Sequence, residues 1–228
     1  DQNPNFTKYI SCDNDTFFGI QLIIDKKEPD SLPQAVSLLK LLLFNLPVSQ
    51  NCIDVDLVLT ISQCFDFSIP FFIVADLIDI LAQMASYKED ELFKQMKKCE
   101  IISRICDILS FINPYQHPSR EREPLNELPF IEMGNDLEID TIVFPLLVFI
   151  FYYFNWEGNS ESIIADELME HLLGILHIQL EERALCCCLN TLMYCTKKKN
   201  YGLFQKALKS TKLPVIKTVL KIALNSES

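Results

Sequence analysis

The sequence predicts an all-α protein, a stack of short helices, on three observations. First, the chain is 49% hydrophobic and 22% charged with only five glycines, a composition that buries a core rather than staying unfolded. No alternating run bounded by hairpin turn residues suggests strands. Second, one pattern (polar, apolar, apolar, variable, apolar, apolar) recurs as "SLLKLLL" from Ser37, "DLIDILA" from Asp76, "RICDILS" from Arg104, "HLLGILH" from His171 and "TVLKIAL" from Thr218. That spacing lays a wide apolar stripe along one helix face. Third, an apolar residue followed by proline introduces four of the helical stretches, at Pro33, Pro70, Pro145 and Pro214. Proline suits a first helical turn, where its missing N–H has no partner to lose.

The expected elements follow in order. "TFFGIQLIIDKK" from Thr16 is the first helix, and residues 1–15 are an N-terminal extension. "LPQAVSLLKLLL" is the first proline-led helix. "DVDLVLTISQCF" from Asp54 leads to the second, "IPFFIVADLIDIL", and "EDELFKQMKKC" from Glu89 and "CEIISRICDILSF" from Cys99 complete a first helical block over 16–112. From 113 to 135 the helical period stops in a stretch with four prolines and clustered charges. A connection of that length is uncommon in a compact domain and serves either as a loose insertion or as a partner-docking or self-inhibiting segment. "FPLLVFIFYYF" opens the second block, 136–228, followed by "ADELMEHLLGILH" from Ala165, the cysteine-rich "ERALCCCLNTLMYC" and "LPVIKTVLKIAL".

The spacing of the four prolines is uneven. The gaps from Pro70 to Pro145 and from Pro145 to Pro214 are each nearly twice the gap from Pro33 to Pro70, and helices without a leading proline fill both long gaps. A unit of about 37 residues with intervening helices suggests a helical repeat. The "IPFFIVADLIDIL" and "FPLLVFIFYYF" segments resemble the third helix of armadillo repeats, and "EERALCCCLNTLMYC" resembles the small, apolar second helix; HEAT-type repeats fit almost as well. The resemblance covers about residues 16–226 and is one of pattern more than identity. It implies a right-handed superhelix whose elongated surface holds other proteins. Nuclear import adaptors of this family carry repeated tryptophan–asparagine pairs along the groove. Here Trp156 is the one tryptophan, beside Asn155, so a ladder of that kind is not expected, although the pair is a candidate partner-binding position. Family members without a ladder include formin regulatory domains, so the resemblance also implies a cytoskeletal or small-GTPase-linked regulator.

Charge divides the chain. Positions 183–228 carry nine basic side chains and one acidic, a net +8, whereas positions 1–182 carry 11 basic and 30 acidic, a net −19. Lys206, Lys209, Lys217 and Lys221 are spaced for exposed helix faces and are the remaining candidate partner-binding residues, suited to an acidic protein surface. Overall acidity disfavours nucleic acid. A membrane-surface adaptor resting this basic end on anionic lipid is the alternative reading.

The cysteines point away from chemistry. Cys186, Cys187 and Cys188 are adjacent, so on a helix they project about 100° apart and cannot converge on one metal ion. Cys188 and Cys195 share a face but lie two turns apart, too far for a disulfide. Leu180, Ala184, Cys187, Cys188, Thr191, Leu192 and Cys195 make a single stripe, while Cys186, Leu189 and Met193 cover much of the other side, which predicts a helix enclosed by neighbours. Its buried thiols act as small hydrophobes. His171 and His177, six residues apart, lack metal-ligand spacing, and these and His117 read as ordinary, partly exposed residues. With no glycine-rich phosphate loop, GxSxG or HExxH, neither catalysis nor a cofactor is expected, a cysteine-dependent enzyme being the weakest alternative. The odd count of nine cysteines in a long, core-rich chain fits a reducing cytoplasmic or nuclear setting. The longest uncharged run, Thr141 to Trp156, has sixteen residues and contains Pro145, short of the about twenty that a membrane span requires. The chain opens on Asp1, as expected of a processed chain or a piece of a longer protein, so missing targeting signals carry no weight.

Overall fold

Every regular element among the described residues is an α-helix. A computed structural model of the chain describes residues 14–45, 53, 55–65, 69–112, 136–157, 168, 171, 172, 175 and 182–196. Within them run α1 (Asn14–Lys26), α2 (Leu32–Asn45), α3 (Leu57–Gln63), α4 (Phe71–Ser86), α5 (Asp90–Lys98), α6 (Ile101–Ile112), α7 (Asp136–Glu157) and α8 (Glu182–Thr196). The first helix begins at Asn14, inside the end of the expected extension. The expected divider at 113–135 and the proline-led helix at Pro214 lie outside the described residues.

Two of the prolines behave as expected. Pro33 is in the first turn of α2, and Pro70 directly precedes α4 with φ −55° and ψ 141°. Pro145 does not: it lies inside α7, so "FPLLVFIFYYF" continues a helix instead of opening one. The acidic stretch Asp136 to Asp140 suits the positive end of a helix, and it starts α7 earlier. Pro145 then removes the N–H that would have reached the carbonyl of Thr141, four residues back, and its ring crowds that carbonyl.

One hydrophobic cluster joins residues from both expected blocks, from Phe17 in α1 to Leu192 in α8. Its centre is α4. Ten of the sixteen residues in α4 are buried; the others are Phe71, partly buried at the first turn, and an outward stripe of Phe72, Asp76, Asp79, Gln83 and Ser86. The rest is covered by α7, its most extensive neighbour, by α2 and by α5. Next to these, α1 packs on α2 and α3, α3 on α5, α5 on α6, and α7 on α8.

Several polar bonds in the segment from α1 to α6 share a similar separation along the chain. Gln21 Nε2 donates to Thr60 Oγ1 over 39 residues, and the Cys64 thiol reaches the Ile24 carbonyl over 40. Lys40 Nζ meets Asp76 over 36, and the Tyr87 hydroxyl donates to the Leu43 carbonyl over 44. Gln95 Nε2 reaches the Ile53 carbonyl and Asp56 over 42 and 39, and Arg104 Nη1 reaches the Ser62 carbonyl over 42. The partners rise together, 21 with 60 and 24 with 64, 40 with 76 and 43 with 87. Thus α1 runs in the same direction as α3, and α2 in the same direction as α4.

The junctions between helices are tight. Lys27, Asp56, Lys88 and Glu100 have φ of 51°, 49°, 59° and 52°, the left-handed region that glycine occupies without steric cost. Lys88 ends α4, its N–H bonded to the Ala85 carbonyl at 3.2 Å. Relief of its Cβ strain, about 1–2 kcal/mol, exceeds the extra entropy that glycine loses on folding, about 0.5–1 kcal/mol. Lys88→Gly is therefore expected to stabilise the protein by about 0.5–1 kcal/mol, measured as a higher denaturation midpoint at unchanged m-value. A lower midpoint would show that the Lys88 side chain contributes more than its backbone costs.

Candidate functional site

Of the expected partner-binding residues, Lys206, Lys209, Lys217 and Lys221 lie outside the described residues, and Asn155 and Trp156 lie in the last turn of α7. The aromatic residues of this helix, "FIFYYFNW", place Phe149, Tyr153 and Trp156 three to four positions apart, on one face. That face meets α5. The Trp156 indole stacks on the Phe93 ring with centroids 3.6 Å apart and planes 5° from parallel. Tyr153 is tilted against both Phe93 and Phe149 at 5.7 Å. Phe93 is fully buried, whereas Trp156 is only partly so. One face of the indole is thus committed to holding α7 on α5, and Asn155 beside it is partly exposed.

The surface seam between α2 and α4 is polar at its middle. Lys40 Nζ is 2.8 Å from both Asp76 Oδ1 and Asp79 Oδ2; the two carboxylates are one turn apart on α4, so a single ammonium spans them. Partial burial works to lower the pKa of Lys40, but the hydrogen bonds and charges of Asp76 and Asp79 outweigh it and hold the pKa above the ordinary lysine value. All three side chains are about two-fifths exposed, so each ion pair contributes at most about 1 kcal/mol. Their geometry fixes the register of α2 on α4 more than it stabilises the fold. Phe72 lies one turn before Asp76 and is 56% exposed, and Phe44 lies one turn after Lys40 and is 78% exposed. The sequence did not single out either phenylalanine, since each ends or begins an apolar run that reads as interior.

On α8 the buried stripe is as expected for Ala184, Cys188, Thr191 and Leu192, with Cys187 half-buried. The expectation that Cys186 helps cover the side opposite the stripe of a helix sandwiched between neighbours is corrected: Arg183, Cys186 and Asn190 are exposed and, three and four residues apart, form a solvent face. Burial, and secondly the neighbouring Cys186 thiol, push Cys187 up to about 11. Cys188 donates weakly to the Leu172 carbonyl at 3.7 Å. His171 is buried, 7% exposed, rather than partly exposed, because it shares the inward face of its helix with Leu168, Leu172 and Ile175. His117 and His177 lie outside the described residues.

Among the described residues no group of three His, Cys, Asp or Glu side chains is placed to hold a metal ion, and no helix is long and apolar enough to cross a membrane. Compared with protein-family models, with curated proteins and with solved structures, the chain matches none.

Two outcomes follow from this geometry. Trp156 is the one tryptophan, so native fluorescence reports the surroundings of its indole, which include the α5–α7 contact. Phe93→Leu removes the stacked ring and should lower stability by about 1–2 kcal/mol and shift native emission to longer wavelength; an unchanged spectrum would show that the stack does not set the environment of the indole. Brief alkylation at pH 8 should modify Cys186 well ahead of Cys187 and Cys188, as resolved by tandem mass spectrometry. With a pKa of about 11, Cys187 is only about one part in a thousand thiolate at that pH, and Cys188 is buried. Equal labelling of the three would mean that α8 opens on the timescale of the reaction.

Proposed function

We propose that the chain is a non-enzymatic protein-interaction scaffold, a stack of armadillo-like or HEAT-like helical repeats that binds its partner along an extended surface. The observation that carries this reading is the separation of 36 to 44 residues shared by the hydrogen bonds between α1 and α3, α2 and α4, and the elements that follow. Helices that run the same way and meet their counterpart one unit later are the contact pattern of a repeat, in which each unit shelters only its neighbours. A unit of about 40 residues falls in the range of armadillo and HEAT repeats. The gap from Pro70 to Pro145 is nearly two such units, yet α4 packs directly on α7, and the stretch 113–135 accounts for part of the excess.

A stack presents a longer surface than a globule of equal length, and surface rather than a cavity is its means of recognition. The partner favoured by charge is acidic where it meets the lysine-rich end, and the binding residues there are Lys206, Lys209, Lys217 and Lys221. A cytoplasmic setting suits the thiols.

Two measurements test the proposal. A compact globule of 228 residues has a radius of gyration of about 17 Å; small-angle scattering should give a larger value and an asymmetric distance distribution, and a value near that of the globule would contradict the stack. Reversing the four lysines to glutamate should leave helicity and melting temperature unchanged while abolishing capture of the native partner from extract. Undiminished capture by the reversed chain would move the site elsewhere. Sedimentation with anionic vesicles at low salt, lost as salt rises, would favour a membrane surface instead.

A further inference from the structure

We draw no further inference here: the strongest candidate, the apolar outer surface of α1 and α2 that leaves Phe18, Leu22, Leu38 and Phe44 exposed, carries nothing because nothing in the structure shows what covers it.

Discussion

The enclosure of α4 is the constraint on which the rest of the structure depends. A helix that buries ten of sixteen side chains needs neighbours on nearly every side. Every other described helix packs on α4 directly or through one intermediary. Filling those positions draws α2 from one side of the sequence and α7 from the other onto the same helix, and so merges 16–112 with the described part of 136–228 in one hydrophobic cluster. Burial on this scale is worth about 1.5–3 kcal/mol for each large aliphatic side chain, far more than any ion pair at the edge. The polar stripe from Asp76 to Ser86 is what remains once the apolar faces are covered, and Lys40 bridges it to α2.

Where the helices meet, polar side chains satisfy backbone carbonyls. Gln95 caps the Ile53 carbonyl at 2.9 Å, Arg104 the Ser62 carbonyl at 3.1 Å and Tyr87 the Leu43 carbonyl at 3.1 Å. Each bond ties a side chain to a carbonyl 42 to 44 residues earlier in the chain. For α3, seven residues long, this support matters most: a helix so short is not stable by itself in water, and it is held by Gln21, Gln95 and Arg104 from three different helices.

Much of this fold was legible because it rests on period. The apolar spacing found α1 through α6 and α8, and the stripe along α8 named its buried residues. What the sequence concealed depended on neighbours. Pro145 looked like a helix start because proline at a first turn and proline in mid-helix differ only in what precedes them, and the preceding stretch interleaves acidic residues (Asp136, Glu138, Asp140) with apolar ones. His171 looked ordinary because a polar residue on an apolar face is placed by the helix packed over it. Cys186 looked enclosed because hydropathy does not say which side of a helix the fold leaves uncovered. Of the candidate site, Trp156 and Asn155 were legible as a pair. Phe93, the ring that occupies one face of the indole, belongs to a helix far back along the chain, with no local signal linking the two.

The order in which helices pair constrains the path of the described chain. In a bundle of helical hairpins, partners run in opposite directions, so the separation between paired residues shrinks toward each turn and no single value recurs. Here the separations stay within 36 to 44 from Gln21 to Arg104, and the partners ascend together. A parallel pair requires an intervening element to bring the chain back to its starting end. Among the described helices, α2 lies between α1 and α3, and α3 between α2 and α4. The helix that returns the chain for one parallel pair is thus itself a member of the next pair.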